Sequence, residues 1–243
     1  MKETLGMARS LLTYYAIPGR LRRLRNFYRQ FIQPGDLCFD IGAHVGNRMW
    51  PWTQLGARVI AVEPQPSMMR FLQRVYGRNS QITLIDKAIG KAHGTAELHI
   101  SSRFPTVTTM SREWITAVKE DATFTKVEWD QTVDVEIITL DDLIAQFGKP
   151  AFCKIDIEGY ELDALQGLST PIQALSFEYI PAAIPMSIQC IERLTELGDY
   201  SYNLSTGENY RFLSPDWLTP REMIKHLNQI TTDERSGDIY GRL

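Results

Sequence analysis

The fold of this chain is decided by DLCFDIGAHVGN, residues 36–47. Residues 37–41 are apolar apart from Asp40, and Gly42 and Gly46 follow them. This pattern predicts a buried parallel strand whose carboxyl end enters a tight turn before a helix. Glycines in such a turn let the backbone approach a ligand, and the amides that open the helix provide positive potential. We therefore predict a nucleotide-binding turn, with a purely structural strand-to-helix turn as the alternative.

A second acid lies where a nucleotide fold would bind a ribose. The apolar run that begins at Arg58 ends at Glu63, 23 positions after Asp40. In doubly wound folds, an acid about 20 residues past the glycine turn hydrogen-bonds the ribose diol. The turn has Gly42 and Gly46 but lacks the middle glycine of G-x-G-x-x-G, which argues against a bound pyrophosphate. Together these features predict a nucleoside ligand without phosphates.

An ordered series of short blocks then carries a family resemblance. The blocks are Asp40-Ile-Gly-Ala-His-Val-Gly-Asn47, Val62-Glu63-Pro64, Leu140-Asp141-Asp142, Lys154-Ile-Asp156-Ile-Glu158-Gly159-Tyr-Glu161 and Phe177-Glu178. They resemble the signature blocks of FkbM-type methyltransferases over roughly residues 34 to 180, and the block that begins at Lys154 is the most specific. The resemblance implies a Rossmann-like, S-adenosylmethionine-dependent methyltransferase, usually acting on a hydroxyl of a sugar, glycan precursor or secondary metabolite.

The turn and the strand ends are predicted to bind the S-adenosylmethionine cofactor. The predicted contacts are Asp40, Gly42, Ala43, His44, Gly46, Asn47, Glu63, Pro64 and Asp86. Asp86 ends a third predicted strand, which in methyltransferases of this architecture lies near the adenine; an exposed turn aspartate is the alternative. His44 replaces the Asn that is more common in this family's turn. We interpret it as a neutral turn residue, with a general base of near-neutral pKa as the alternative.

The reacting groups are predicted at the end of the strand over residues 151–157. In an open doubly wound sheet, ligands bind outside the carboxyl ends of the strands at the switch point, so Asp156 and Asp40 should face one crevice. A neutral hydroxyl needs a base or a metal, and we predict catalytic roles for Asp156, as base or acceptor-orienting group, and Glu158. Lys154 shares the face of Asp156 and could pair with it. The two acids together with Glu178 could hold a hard cation such as Mg²⁺, but no metal is predicted.

The alternation of strands and amphipathic segments predicts an α/β fold. We expect a Rossmann-like methyltransferase fold, with a mostly parallel sheet, helices on both faces and an antiparallel edge hairpin. The predicted strands are 37–41, 58–63, 82–86, 95–100, 133–138, 151–157 and 174–179. The hairpin is expected between residues 200–203 and 210–213, and the tail after a short helix near 220–229 is expected to be mobile.

The chain is predicted to form one nucleotide-binding domain, residues 34–243, preceded by a basic helical arm, residues 1–33. The arm is expected to form one or two helices, with Pro18-Gly19 as the break between them. Residues 101–132 break the rhythm of the fold, and a long irregular insertion in a compact domain is often functional. We predict that it forms part of the acceptor site, with Trp114 and Trp129 able to stack on a substrate; a surface excursion that covers the core is the alternative.

Composition narrows the class of protein. The chain has 243 residues, ordinary hydrophobic content and a net charge of −3, but residues 1–33 hold seven basic side chains and one acid. This basic arm could contact an anionic membrane surface or another copy of the chain, although a solvated helix face is the simpler interpretation. We expect no nucleic-acid partner and no transmembrane segment. Three cysteines without a C-x-x-C pair indicate a reducing, cytoplasmic compartment.

Two other classes of protein would use the same sequence frame. An NAD-dependent oxidoreductase would share the spacing from Asp40 to Glu63, but the missing glycine counts against it. A non-catalytic nucleoside-binding or scaffold protein would need a degraded donor site, whereas the acids and glycines are all present.

Overall fold

The computed structural model describes residues 2–119 and 124–243. Within these ranges the helices are α1 Lys2–Tyr15, α2 Arg20–Tyr28, α3 Met49–Gln54, α4 Pro66–Tyr76, α5 Arg112–Val118, α6 Leu140–Phe147, α7 Glu161–Gln166, α8 Ile184–Leu197 and α9 Pro220–Leu227. The strands are β1 Leu37–Ile41, β2 Arg58–Val62, β3 Ile82–Ile85, β4 Ala88–Ile89, β5 Gly94–Ile100, β6 Gln131–Ile138, β7 Phe152–Ile155, β8 Ala174–Tyr179, β9 Ser201–Thr206 and β10 Gly237–Arg242.

The main sheet has seven strands in the order β3-β2-β1-β7-β8-β10-β9. The first five are parallel, and β10 pairs antiparallel with both β8 and β9. The chain order reverses between β1 and β7, so these two strands flank the switch point. The predicted fold class is confirmed: a Rossmann-like α/β fold with a mostly parallel sheet and an antiparallel edge.

Alternate residues of β1 face two separate hydrophobic clusters. Phe39 and Ile41 pack with apolar side chains of α6, α7, α8 and α9. Cys38 packs on the other side with apolar side chains of α2, α3 and α4. Because side chains alternate along a strand, a central strand buried on both faces must be apolar at nearly every position. Asp40 shares the face of Cys38 and is the polar exception in the strand.

The predicted edge hairpin is wrong, because β9 has a different partner strand. The tail, which was expected to be mobile, forms a strand of the sheet. β9 pairs with β10, the last strand, whose residues 237–241 are buried. Residues 210–213 form no strand, because Tyr210 has φ 52°, a left-handed conformation that interrupts an extended chain. The residues before Gly237 are polar, so the sequence pattern did not predict the strand that follows them.

The basic arm contains two helices, as predicted, and its second helix is packed into the fold. Leu24, Phe27 and Tyr28 of α2 are buried against Trp52 and Phe152 in the cluster on the Cys38 side of the sheet. Arg22 and Arg23 remain exposed. This packing favours the interpretation of α2 as a solvated basic helix anchored by its apolar face. The domain boundary after residue 33 stays a prediction.

A second sheet has three strands in the order β4-β6-β5. All three strands follow β3 in the sequence.

The capping box predicted after β6 is confirmed, since the Thr139 hydroxyl accepts from the Asp142 amide and the Asp142 carboxylate accepts from the Thr139 amide. Asp142 is therefore a structural residue at the start of α6.

Candidate active site

A cavity lies at the carboxyl ends of β1, β2, β7 and β8. It encloses about 840 Å³, part of it open to solvent. The residues that line it are Tyr14, Ile41, Gly42, His44, Asn47, Arg48, Val62, Glu63, Pro64, Gln65, Lys87, Ala88, Ile89, Leu98, Pro105, Thr106, Thr108, Thr109, Met110, Asp156, Ile157, Glu158 and Glu178. This is the edge at which ligands bind in open α/β sheets.

The turn after β1 forms one wall of the cavity and is held in left-handed conformations. Gly42 has φ 80°, His44 has φ 49° and Gly46 has φ 74°. A Cβ atom on Gly42 would lie 1.9 Å from the Asp156 carbonyl oxygen. Glycine is therefore required at position 42 for two reasons, backbone conformation and the close approach of the neighbouring strand end.

Replacing Gly42 with alanine is expected to destabilise the protein more than the same change at Gly35. Gly35 has φ 91°, but no atom of the described residues lies within 4 Å of a Cβ built there, so Gly35→Ala measures the backbone cost alone, about 1–2 kcal/mol. Gly42→Ala adds the collision with Asp156 and should cost about 1–3 kcal/mol more. Urea unfolding of both variants measures the difference. Equal losses would show that the turn moves freely away from Asp156.

Glu63 lies at the end of β2 and is 5% exposed. Its carboxylate oxygens accept hydrogen bonds from the backbone amides of His44 at 2.7 Å and Gln65 at 2.8 Å. Burial raises the pKa of this carboxyl to about 7, although the two amide hydrogen bonds oppose the shift. Each oxygen keeps a further lone pair, so the group can accept from a ligand diol while it holds the turn.

Three carboxylates converge at the carboxyl ends of β7 and β8. One oxygen each from Asp156, Glu158 and Glu178 lie within 4.8 Å of one another. The strand β7 ends at Ile155, and the chain then turns sharply, with φ 53° at Glu158 and 88° at Gly159. The turn, rather than the alternation of side chains along a strand, therefore sets the direction of the Glu158 side chain. A hard cation could bind this cluster; the prediction that no metal is needed stays a prediction.

Glu161 holds the turn that creates this cluster. Its carboxylate accepts from the amides of Ile157 at 2.9 Å and Gly159 at 3.0 Å. Trp114 packs over the turn, and a Cβ on Gly159 would lie 2.3 Å from the Trp114 ring. The last acid of the signature block is therefore structural, a role that its spacing did not reveal.

The three converging acids differ in protonation. Burial alone would raise the pKa of Asp156, but the Lys154 ammonium and the Arg48 guanidinium outweigh it and hold the pKa below its ordinary value. Burial and the nearby Asp156 charge raise the pKa of Glu158 well above its ordinary value. Burial and the neighbouring Glu158 do the same to the pKa of Glu178. The cluster therefore combines an acid with a lowered pKa, Asp156, with two glutamates that hold a proton more strongly than a free carboxyl group does.

Lys154 lies beneath the cluster and forms two ion pairs. Its Nζ is 3.1 Å from the Asp156 carboxylate and 2.7 Å from the Asp238 carboxylate on β10. The pairing of Lys154 with Asp156 suggested by their shared strand face is confirmed. Asp238 had no signal in the sequence, because β10 reaches this position only through the antiparallel edge of the sheet.

The predicted donor residues divide into two groups. Gly42, His44, Asn47, Glu63 and Pro64 line the cavity. Those that do not line it are Asp40, Ala43, Gly46 and Asp86. Asp40 is 2% exposed, and burial raises its pKa to about 6. Asp86 is exposed, whereas its neighbour Lys87 lines the cavity.

His44 is packed beneath helix α1. Its Nε2 lies 3.3 Å from the Ser10 hydroxyl, and the Tyr14 ring meets it edge-on with the centroids 5.7 Å apart. Burial lowers the pKa of His44 to about 4, so the ring is neutral near pH 7. These contacts support the interpretation of His44 as a neutral turn residue.

Helix α1 and residues 105–110 of the irregular segment 101–132 form the roof of the cavity. Tyr14 comes from α1, and residues 105–110 of the segment contribute hydroxyls and apolar groups. The prediction that Trp114 stacks on a substrate is wrong, because its ring is 1% exposed and packs on Gly159. Trp129 packs edge-on against Trp114 and donates to the Val107 carbonyl, so it supports the roof from behind. Residues 120–123 of the segment lie outside the described residues.

Sequence comparison assigns the family. The profile of the Methyltransferase FkbM domain matches residues 40–198, about two thirds of the chain. The chain belongs to the FkbM methyltransferase family. It is an S-adenosylmethionine-dependent methyltransferase, and the oxidoreductase alternative is set aside. A comparison with curated proteins found no match.

Solved structures similar to this FkbM methyltransferase include several methyltransferases of low sequence identity. Precorrin-6y C5,15-methyltransferase from Geobacter metallireducens GS-15 has a TM-score of 0.46 at 11% identity, covering 91% of this chain and 83% of its own. An O-methyltransferase from Bacillus cereus in complex with SAH has a TM-score of 0.45 at 11% identity, covering 99% and 87%. Within residues 2–119 and 124–243, no helix is long and apolar enough to cross a membrane.

Proposed function

We propose that this FkbM-family methyltransferase methylates a hydroxyl group of a sugar, a glycan precursor or a secondary metabolite. The observation that carries the proposal is the convergence of the Asp156, Glu158 and Glu178 carboxyl groups on one wall of the cavity. A neutral hydroxyl is a weak nucleophile until its proton is accepted, so O-methylation needs such a group. The hydroxyl-rich roof at residues 106–109 supports a polar acceptor.

The lining of the cavity fits S-adenosylmethionine. Glu63 offers carboxylate oxygens at the end of β2, where a ribose diol would donate, and Ala88 and Ile89 offer apolar contacts for a base. The donor residues proposed from sequence that line this cavity are Gly42, His44, Asn47, Glu63 and Pro64. When bound, S-adenosylmethionine supplies an activated methyl group on a sulfonium. The chain must then hold the acceptor in line, exclude water and take one proton.

Asp156 and the glutamates are suited to different parts of that task. Asp156 is ionised beside Lys154, so it can accept a hydrogen bond and orient the acceptor hydroxyl. Its lowered pKa makes it a weak proton acceptor. Glu158 and Glu178 have raised pKa values, and the ionised member of this pair is the stronger base. We therefore assign orientation to Asp156 and proton removal to the glutamate pair.

The experiment is methyl transfer from labelled S-adenosylmethionine to a panel of sugars, glycan precursors and hydroxylated metabolites. We expect an alkali-stable methyl ether, and acceptors that lack the hydroxyl should give no product. A methyl ester, which alkali cleaves, or an N- or C-methylated product would contradict O-methylation.

Replacing Asp156 with asparagine should then lower kcat by about 10²-fold, because the carboxylate that orients the acceptor hydroxyl is lost. Binding of S-adenosylhomocysteine should be retained. Asp134→Asn, an exposed acid on β6, is the control and should leave both quantities unchanged. A normal kcat for Asp156→Asn would show that Asp156 does not orient the acceptor hydroxyl.

Two further proposals concern the surroundings of the protein. Exposed Arg22, Arg23 and Arg29 on the basic arm support contact with an anionic surface or a second copy of the chain. The cysteines, Cys38, Cys153 and Cys190, are free and buried, which supports the proposed reducing, cytoplasmic compartment.

A further inference from the structure

Arg48 is a buried cation in the cavity wall that sequence patterns did not single out. It follows Asn47 directly before α3, lines the cavity and is 6% exposed. Its Nη1 donates to the Asn47 side-chain oxygen at 3.2 Å. The helix that follows Arg48 and the glycine turn that precedes it are both packed into the core. The backbone that carries the Arg48 side chain is therefore fixed.

The ion pairs of this guanidinium are incomplete. Nη2 lies 3.8 Å from the nearer Glu208 oxygen and 3.9 Å from the Asp238 carboxylate. Charge-assisted hydrogen bonds between these groups are shorter, about 2.7–2.9 Å. Over the described part of the chain, Nε has no hydrogen-bond partner. A buried guanidinium whose ion pairs are long and whose Nε has no acceptor among the described residues is suited to a closer anionic group.

The charges around Arg48 match a zwitterion better than a simple anion. The Asp156 carboxylate lines the same cavity and interacts electrostatically with Arg48. Glu63, by contrast, lies at the end of β2 and accepts from the backbone of the turn and of Gln65. This part of the cavity therefore places the guanidinium N–H donors of Arg48 beside the Asp156 carboxylate. The two groups complement the carboxylate and the ammonium of an amino acid.

We propose that Arg48 binds the α-carboxylate of the methionyl part of S-adenosylmethionine and makes the site selective for nucleosides that carry this group. The inference rests on the placement of the donor in this cavity proposed above. It assigns to Arg48 a recognition role toward the donor, beyond its distant contacts with Glu208 and Asp238. Ordering this end of the donor would also fix the direction of the bonds at the sulfur.

A purely structural role would predict a different result, and Arg20 provides the control. Arg20 is also 6% exposed, and its Nη2 lies 3.2 Å from the other oxygen of Glu208. It does not line the cavity. Arg20→Met thus removes a buried guanidinium from the same Glu208 carboxylate without removing a group that faces the ligand.

The test is calorimetric binding of S-adenosylhomocysteine and of its decarboxylated analogue to the full chain. Wild-type protein should bind S-adenosylhomocysteine about 10- to 100-fold more tightly than the analogue, the effect of a hydrogen-bonded charge pair. Arg48→Met should weaken the binding of S-adenosylhomocysteine by that factor and leave the affinity for the analogue unchanged. If Arg48→Met does not fold, Arg48→Lys replaces it in the test. Lysine keeps the charge and loses the forked donors, so the ratio of the two affinities should be intermediate. Arg20→Met should retain the wild-type ratio.

Two results would overturn the inference, and they have different meanings. If wild-type protein binds both ligands equally, or if Arg48→Met and Arg48→Lys keep the wild-type ratio, Arg48 does not recognise the carboxylate, while the donor site stands. If wild-type protein binds neither ligand, the donor does not occupy this cavity, and the placement of the donor fails together with the inference.

Discussion

Glu63→Ala is expected to abolish the stabilisation of this methyltransferase by S-adenosylhomocysteine. A ligand at 100 times its Kd adds about 2.7 kcal/mol, or about 5–11 °C in Tm for a chain of this length. The Glu63 carboxylate is proposed to accept from the ribose hydroxyls, and each hydrogen bond to a charged group contributes about 1.5–3 kcal/mol. Its loss should weaken binding by about 100-fold or more. A thermal melt with and without ligand measures the change.

Asp86→Ala is the matched control for this prediction. Asp86 ends the neighbouring strand as Glu63 ends β2, but it is exposed and does not line the cavity. Its variant should keep the full ligand-induced shift. If instead Asp86→Ala loses the shift and Glu63→Ala keeps it, the ribose is bound at the other acid and the placement of the donor is wrong.

The raised pKa of Glu63 adds a pH dependence with a defined sign. A ribose diol donates to the ionised carboxylate, so the ligand favours the deprotonated form. Affinity should therefore fall as the pH drops below about 7, by up to about tenfold per pH unit. Without ligand the sign reverses: the folded state binds the proton more tightly than the unfolded chain, so this group's contribution to stability falls as pH rises toward 7. Ligand affinity that is constant between pH 5.5 and 8 would contradict this account.

Lys154→Met is expected to lower the free energy of unfolding by about 3–5 kcal/mol, since it leaves the buried Asp238 carboxylate and the partly buried Asp156 carboxylate without their nearest cation. Lys154 is 1% exposed and pairs with both Asp156 and Asp238. For a chain of this length the loss corresponds to a fall in Tm of about 6–20 °C. Urea unfolding and a thermal melt both measure it. Lys91→Met, which removes an exposed ammonium 3.7 Å from Asp163, should change stability by less than about 1 kcal/mol.

A double variant separates the charge effect from lost packing. Adding Asp238→Asn to Lys154→Met removes one of the stranded charges, so it should recover part of the stability that the single change loses. If the double variant is no more stable than Lys154→Met, the cost arises from the cavity left by the lysine side chain. A single Lys154→Met variant as stable as wild type would mean that the pair is solvated.

Short-range patterns were enough to place the donor turn and the acids at the strand ends. Gly42, Glu63 and Asp156 each follow directly from an apolar strand, and in a parallel sheet all such ends meet at one edge. The predicted sheet, the helix start at Thr139 and the pairing of Lys154 with Asp156 depend on the same local rules of strand alternation and capping. These parts of the fold needed no knowledge of distant contacts.

The residues that sequence reasoning missed come from distant segments. Tyr14 reaches the cavity from α1, and Asp238 reaches Lys154 from the last strand. Trp114, predicted to contact substrate, is buried because the strained turn at Gly159 provides its packing surface. None of these positions has a periodic or spaced pattern that distinguishes it from an ordinary helix, tail or loop residue.

The sequence by itself determined the family, the Rossmann-like sheet, the cofactor class and the acids at the strand ends, because each is carried by short blocks of residues whose patterns are local. Only the tertiary structure decided the partner of β9 and the burial of Lys154 between Asp156 and Asp238. Those features depend on which segments pack together, and the free energy of such packing is shared among residues far apart in the chain. Arg48 belongs to this second group, since only its enclosure beside the cavity shows that it has donors to offer.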